Sequence, residues 1–136
     1  MRIDLPNLEA TKAFAEKLSR SCKGDEIFLL EGTLGAGKTT FAKFFIQSYY
    51  QDFNLNVTSP TFTLIQDYGP PNKPLWHSDL YRLDHAEEIL NLGLDELYGR
   101  GIVLIEWPER MGPFCPLNAQ KITFHLEDKT RFITLS

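Results

Sequence analysis

A glycine-containing segment in the first third of the chain constrains its fold more than any other feature. Gly32 to Thr39 matches the pattern G-x-x-x-x-G-K-[ST]. It lies between a short apolar run, typical of a buried parallel strand, and a stretch whose aromatic residues share one helical face. Backbone N–H groups of such a turn converge on phosphate oxygens, and the following helix adds its dipole. We therefore predict a phosphate-binding loop; a glycine turn that only connects the strand to the helix is the alternative.

Two side chains of this loop have separate chemical tasks. We expect Lys38 to reach the β and γ phosphates of a nucleotide, and the Thr39 hydroxyl to join the coordination shell of Mg²⁺. Such a site also needs a carboxylate at the carboxyl end of a neighbouring apolar strand. Glu106 fits because it ends the apolar run 102–105, and Asp79 is the second candidate.

Three further residues could serve either the site or only the fold. His77 and Asp79 lie two apart in a predicted strand, so they project from one face, where they could address a metal, water or each other. A structural His–Asp pair is the alternative. Thr61 follows a Ser-Pro break where nucleotide switches commonly place a threonine, although an ordinary turn explains it too. Trp107 could pack beside a nucleotide or in the core.

Length and charge limit the classes of function open to the chain. Its 136 residues fit one domain spanning 1–136. The net charge of -4 argues against a large basic surface for nucleic acid, so any RNA role is expected to be indirect. No apolar run is long enough to span a bilayer, and the two cysteines lack metal-binding spacing. We expect a cytoplasmic protein with free thiols and no membrane association.

The remaining pattern predicts an α/β fold with a mixed, partly antiparallel sheet flanked by helices. A turn rich in proline and glycine separates two extended segments, which indicates an antiparallel hairpin beside the parallel strands. Asn7 and Asp84 are the expected helix N-caps, and the proline-rich stretch after Pro108 is expected to be a loop. The predicted elements are helices over 7–21, 38–50 and 84–92, buried strands over 27–30 and 102–105, extended segments over 57–67 and 75–81, and edge strands over 121–126 and 131–135.

Four motifs taken together resemble one family. They are GTLGAGKTT at Gly32–Thr40, SPTF at Ser59–Phe62, HSDLYRL at His77–Leu83 and IEWPER at Ile105–Arg110. Their order and spacing are similar to those of the TsaE family, formerly called YjeE, and the match covers nearly the whole chain. The resemblance implies a single domain with a P-loop NTPase-like fold.

The resemblance also implies an activity and partners. The chain would be a bacterial ATPase that needs Mg²⁺, is weak alone and is stimulated by partner proteins. It would act as a nucleotide switch on a complex of the TsaB and TsaD proteins. The process would be the threonylcarbamoyladenosine modification of tRNAs that read codons beginning with A, with contact to tRNA only indirect.

Carried over position by position, the family's pattern assigns site roles to residues of this chain. The implied catalytic residues are Lys38, Thr61, Asp79 and Glu106. The implied metal ligands are Thr39 and Glu106. The implied nucleotide-binding residues are Leu34, Gly35, Ala36, Gly37, Lys38, Thr39 and Thr40 around the phosphates, with Leu8, Thr11 and Thr130 or Arg131 on the adenine side.

Two other functions fit the phosphate-binding loop. A small-molecule kinase begins with the same strand, loop and helix, but usually adds an arginine-bearing lid that this short chain does not offer. A nucleotide-dependent binding module without meaningful turnover is the second alternative. Guanine specificity is unsupported because Asn72-Lys73 continues as Pro74-Leu75 and forms no NKxD motif.

Overall fold

A seven-stranded mixed sheet forms the centre of the protein in the computed structural model, which describes all residues from Met1 to Ser136. The strand order is β1-β7-β6-β2-β5-β4-β3. The strands are β1 (Arg2–Asp4), β2 (Ile27–Gly32), β3 (Ile65–Tyr68), β4 (Leu75–Asp79), β5 (Ile102–Glu106), β6 (Gln120–Glu127) and β7 (Thr130–Leu135). The helices are α1 (Leu8–Arg20), α2 (Lys38–Tyr50) and α3 (Glu88–Leu92), with 3₁₀ segments at Leu94–Glu96 and Pro108–Phe114. This arrangement confirms the predicted α/β class with a mixed sheet flanked by helices.

The two apolar runs form the central parallel strands β2 and β5, as predicted. Both are covered on both faces, because alternate side chains project to opposite sides of a strand. Phe28 and Leu30 pack into a core beneath α1 and α2. Ile27 and Leu29 pack into a second core beneath α3 and the 3₁₀ segments. The sheet therefore separates two hydrophobic cores.

Helix α1 begins where its cap was predicted. The Asn7 side chain accepts a hydrogen bond of 2.9 Å from the Ala10 backbone N–H, which satisfies one of the free donors of the first turn. Deep between the helices, the hydroxyls of Ser19 on α1 and Ser48 on α2 are hydrogen-bonded at 2.8 Å. Leu8, expected on the apolar face of α1, is instead 66% exposed.

Helix α2 anchors the larger core through aromatic rings spaced one turn apart. Phe41 and Phe45 are fully buried, with ring centroids 5.9 Å apart. Phe28 of β2 meets Phe45 edge-on, and Phe124 of β6 packs on Phe41. These contacts fix α2, and with it the loop that precedes it, against the sheet.

The predicted extended segment 57–67 is wrong over most of its length. Only β3, Ile65–Tyr68, is a strand, and it pairs antiparallel with β4 as the hairpin prediction required. Upstream, the Leu64 N–H donates to the Pro60 carbonyl across a tight turn, and Leu64 has a left-handed φ of 68°. The Leu64 carbonyl then accepts from the Ser78 hydroxyl, so the turn is fastened to β4.

Three other predicted elements differ from the structure. The helix expected over 84–92 begins only at Glu88, and no side chain caps it, so the Asp84 cap is wrong. The stretch after Pro108 is a kinked 3₁₀ segment rather than a loop, with Gly112 at the kink. Strands β6 and β7 form the predicted hairpin, but neither is an edge strand, because β6 also pairs with β2 and β7 with the unpredicted β1.

Two smaller expectations have a structural outcome. Cys22 and Cys115 are free, as expected. None of the helices combines the length and the apolar character that crossing a bilayer requires.

Replacing Phe45 with alanine should lower the free energy of unfolding by about 3–5 kcal/mol, because the change removes a fully buried ring and leaves a cavity. Urea denaturation followed by circular dichroism measures the change. The matched control is Phe53→Ala, since this ring is 54% exposed, and the expected loss is below about 1 kcal/mol. Equal losses in the two variants would contradict the packing described for α2.

Candidate active site

The site lies where three neighbouring parallel strands end. Strands β2, β5 and β4 are adjacent, and their register places Leu30 opposite Glu106 and Glu106 opposite Asp79. The carboxyl ends of parallel strands meet at one edge of a sheet, where α/β folds bind ligands. The phosphate-binding loop leaves β2 at this same edge. Both candidate carboxylates are therefore brought beside the loop by strand pairing.

A cavity of about 610 Å³ opens over this edge. Residues predicted for the phosphates, the metal and catalysis all line it: Leu34, Gly35, Ala36, Gly37, Lys38, Thr39, Thr40, Thr61, Asp79 and Glu106. On the predicted adenine side, Leu8, Thr11 and Arg131 line the cavity, whereas Thr130 is not among its lining residues. Polar and apolar groups thus share one concave space of a size that suits a nucleotide.

The loop adopts a conformation that depends on two of its glycines. Gly37, immediately before α2, has a φ of 111°, which an L side chain rarely adopts. Gly32 has a φ of 144°, and a Cβ there would lie 2.6 Å from the Phe124 carbonyl oxygen. The loop is thus pressed against β6 at its start and turned into the helix at its end. Backbone N–H groups at the start of α2 remain free of helical partners there.

Lys38 is the buried cation of the site. Its side chain is 5% exposed, its Nζ donates to the Gly32 carbonyl, and Nζ lies 3.5 Å from the centre of the Trp107 ring. Burial lowers the pKa of Lys38, and the surrounding carboxylates, led by Glu106 and Glu109, oppose that shift. The ammonium is therefore desolvated but held by a neutral carbonyl and a π face.

Thr39 and Glu106 lie in direct contact, as a shared metal site would require. The Thr39 hydroxyl donates to Glu106 Oε1 at 2.8 Å, and Glu106 is 2% exposed. On the other side, Glu106 Oε2 lies 2.6 Å from His77 Nε2. His77 therefore meets Glu106 rather than Asp79, which is two residues along its own strand.

Asp79 fastens the segment that carries Thr61. Its Oδ2 accepts hydrogen bonds from the Ser59 hydroxyl at 3.2 Å and from the Thr61 hydroxyl at 3.0 Å. Its Oδ1 accepts from the Tyr81 backbone N–H at 3.0 Å. The two hydroxyls are also 2.7 Å from each other. This buried carboxylate thus joins the predicted switch segment to the end of β4.

Trp107 lines the cavity with an unusual backbone. Its φ of 59° and ψ of 50° lie in the left-handed region, directly after β5. The indole packs against the Tyr81 ring at a centroid distance of 4.9 Å, contacts the Lys38 ammonium and packs against the second core. Trp107 therefore packs against the second core and also lines the cavity, so the core alternative is found and contact with a nucleotide stays a prediction.

Sequence reasoning missed several residues of the site. The missed lining residues are Leu5, Asn7, Ser59, Tyr81 and Phe124. Tyr81 stands inside the HSDLYRL motif and Ser59 inside the SPTF motif, but neither motif indicates which of its members faces the cavity. Phe124 and Leu5 reach the cavity only because β6 and the start of α1 lie beside the loop. Arg131 Nη2 donates to the Gly35 carbonyl at 3.4 Å, which links the distant β7 to the loop.

The donor set fits magnesium better than a metal held by protein alone. No group of three or more His, Cys, Asp or Glu side chains converges to hold a metal. One hydroxyl and one carboxylate oxygen are hard donors, and Mg²⁺ usually takes one or two protein oxygens and fills its shell with phosphates and water. Thr39 and Glu106 offer that arrangement beside the loop.

One family model and several known proteins are similar to this chain. A model of the family described as "Threonylcarbamoyl adenosine biosynthesis protein TsaE" matches residues 5–133. The tRNA threonylcarbamoyladenosine biosynthesis protein TsaE of Rickettsia bellii is 40% identical over 120 residues, covering 88% of this chain and 83% of its own. The protein of the same name from Rickettsia felis is 46% identical over 105 residues, covering 77% of this chain. That match spans 61% of the Rickettsia felis protein, which is less than two thirds of its length.

A solved structure resembles the whole fold. The crystal structure of YdiB from Bacillus subtilis superposes with a TM-score of 0.74 at 32% sequence identity. The superposition covers 99% of this chain and 83% of that one. The likeness therefore extends over both cores and both ends of the sheet.

Replacing Asp79 with alanine should free the segment from Ser59 to Leu64. The two hydroxyls lose their common acceptor, and hydrogen bonds to a charged group contribute about 1.5–3 kcal/mol, so amide exchange there should rise about tenfold or more. Hydrogen exchange resolved by peptide measures the change. Asp67→Ala is the control, because Asp67 is exposed and its side chain makes no hydrogen bond. Unchanged exchange over 59–64 in Asp79→Ala would show that Asp79 does not hold the segment.

Proposed function

This chain belongs to the TsaE family, whose role is in tRNA threonylcarbamoyladenosine biosynthesis, and from that premise we propose that it binds and hydrolyses ATP with Mg²⁺. We further propose that it serves as a nucleotide switch on a complex of TsaB and TsaD proteins. The modified tRNAs would be those that read codons beginning with A.

One observation carries the nucleotide part of this proposal. Thr39, the last residue of the phosphate-binding loop, donates to Glu106 at 2.8 Å across a cavity that Lys38 also lines. A loop with free N–H groups, a lysine, a hydroxyl and a carboxylate thus converge on one space. These are the parts that recur where proteins hold a triphosphate and its metal.

The chain's residues can hold each part of the substrate. The start of α2 and the loop N–H groups favour phosphate oxygens, and Lys38 and Arg131 are the positive side chains that line the cavity. Thr39 and Glu106 would hold Mg²⁺, which when bound neutralises charge on the phosphate oxygens. Thr11 and Arg131 lie on the wall where we expect the adenine side.

Phosphoryl transfer to water depends on positioning and charge more than on covalent chemistry. Lys38 is placed to stabilise charge on the transferring phosphate, since its Nζ lies at the cavity and contacts only a carbonyl oxygen and an indole face. Asp79 and Thr61 line the same cavity, and the hydrogen bond between them fastens the segment from Ser59 to Leu64 to β4. Glu106, with Thr39, would hold the metal ion.

The switch part of the proposal is supported by how Thr61 is attached. Its segment is fastened to β4 through Asp79, and β4 pairs with the strand that ends in Glu106. A phosphate oxygen that accepts from the Thr61 hydroxyl would compete with Asp79 for its single hydrogen, so the nucleotide state would alter the segment. Next to Thr61, Phe62 is 83% exposed, and the Arg82 guanidinium lies 4.5 Å from its ring centre. An exposed aromatic beside an arginine is the kind of pair that protein partners contact.

The charge balance favours protein partners over direct tRNA binding. The chain has 14 Lys and Arg against 18 Asp and Glu, and a nonspecific grip on RNA needs an excess of cations facing the phosphates. Contact with tRNA is accordingly proposed to be indirect, through the TsaB–TsaD complex.

Lys38→Ala should abolish partner-stimulated ATP hydrolysis. Phosphate release from ATP and Mg²⁺ is measured for the protein alone, with a purified TsaB–TsaD complex, and for each variant in the same mixture. Loss of a charge-stabilising donor typically lowers turnover about 10²–10³-fold, and we expect that range. Lys43→Ala on the exposed face of the same helix is the matched control and should stay within about twofold of the unsubstituted protein.

The same mixtures separate the alternative functions. Tight ATP binding with no phosphate release, even with the complex present, would indicate that the chain is a nucleotide-dependent binding module rather than an ATPase. Transfer of labelled phosphate from ATP to a metabolite would indicate a small-molecule kinase. Equal hydrolysis by Lys38→Ala and Lys43→Ala would contradict the assignment of the site.

A further inference from the structure

The Glu106 carboxylate is held from both sides, and only one of its two partners belongs to the phosphate-binding loop. Thr39 donates to Oε1 at 2.8 Å, and His77 Nε2 lies 2.6 Å from Oε2. His77 is 0% and Glu106 2% exposed. A short polar contact between two side chains that water does not reach fixes the orientation of both.

The direction of the second hydrogen bond follows from the chemistry of the pair. A carboxylate that serves a cation is ionised and can only accept. The hydrogen between His77 and Glu106 therefore resides on His77 Nε2, which donates. The donor comes from β4 and the acceptor from β5, so the contact also joins two neighbouring strands at the site.

The other nitrogen of His77 has no partner. Nδ1 is buried and makes no hydrogen bond. A buried polar atom without a partner destabilises the fold, so a side chain that served packing alone would be better apolar. The one polar contact of this ring is to Glu106, which indicates that the histidine serves that carboxylate.

We propose that His77 is a positioning residue for Glu106 in metal binding, an inference that rests on the proposed Mg²⁺-dependent nucleotide site. Its Nε2–H holds Oε2, which leaves Oε1 directed to Thr39 and to the cavity before any ligand arrives. Without that donor the carboxylate can rotate, and Mg²⁺ must select one of several orientations. Partners of metal ligands commonly change metal affinity about 10–100-fold when removed.

Two amide variants separate the two ring nitrogens. In His77→Gln the amide nitrogen can occupy the place of Nε2 and donate to Glu106, whereas in His77→Asn it can reach only the place of Nδ1. Both variants remove the ring and keep an amide, and they differ by one methylene, so the same pair of substitutions at a second histidine serves as the control. The readout is the affinity for ADP by isothermal titration calorimetry, once with Mg²⁺ and once with EDTA.

His125 offers a matched control on another part of the sheet. Its Nε2 lies 3.0 Å from the Thr134 hydroxyl, between β6 and β7, and it is not among the cavity residues. The same two substitutions there should leave the Mg²⁺ dependence of ADP binding unchanged.

We expect His77→Asn to lose about tenfold or more of the affinity that Mg²⁺ adds, with ADP binding in EDTA unchanged, and His77→Gln to retain it within about threefold. Equal behaviour of the two variants, or a loss of equal size with and without Mg²⁺, would overturn the positioning role while leaving the proposed nucleotide site intact. Absence of any Mg²⁺ effect in the unsubstituted protein would overturn both.

A measurement on the unsubstituted protein covers the case in which a variant does not fold. The chain has three histidines, so their ring nitrogens can be resolved by ¹⁵N NMR. Adding Mg²⁺ to the ADP-bound protein should shift the His77 Nε2 resonance and leave those of exposed His85 and of His125 in place. A stationary His77 resonance, with Mg²⁺ bound, would contradict the proposal.

Discussion

Parallel pairing of β2 with β5 and of β5 with β4 is the constraint on which the site depends. The pairing is secured by apolar side chains buried on both faces of these strands, and its register leaves no freedom in what meets at their ends. A shift of one residue in β5 would turn Glu106 to the opposite face and bring Trp107 opposite Leu30. Because the two cores on either side of the sheet fix the register, the chemistry at the edge follows from packing far from it.

The parts of this structure that local patterns encode were predictable, and the parts that depend on strand order were not. The loop from Gly32 to Thr39 and its flanking elements follow from glycine spacing and apolar runs, which are local signals. The contact between His77 and Glu106 depends on β4 and β5 being neighbours in the sheet, and the residue types along the chain do not reveal the strand order. The segment 57–64 reads as extended because it holds Val and Thr, yet Pro60 and a left-handed Leu64 fold it into a turn. The central place of β6 likewise depends on its partner β2.

The electrostatics of the cavity leave its cation available. Ion pairs in this chain join Arg2 to Asp4 and Lys121 to Glu31, so Lys38 belongs to neither of them. Its neighbours in the structure are a carbonyl oxygen and an indole face. A phosphate that approaches the loop therefore competes with neutral partners rather than with a carboxylate. Both carboxylate oxygens of Glu106 have other hydrogen-bond partners, Thr39 and His77, so Glu106 forms no ion pair with Lys38.

The left-handed backbone at Trp107 sets backbone strain against side-chain packing at one position. A bulky residue at a φ of 59° costs about 1–2 kcal/mol, and glycine would relieve that cost. Glycine would also remove the ring that covers Lys38 and packs on Tyr81. The indole also packs against the second core, so glycine would exchange backbone strain for lost packing. An engineering effort that set out only to relax strained backbone would be drawn to this position, where it would lose that packing and dismantle the wall of the cavity.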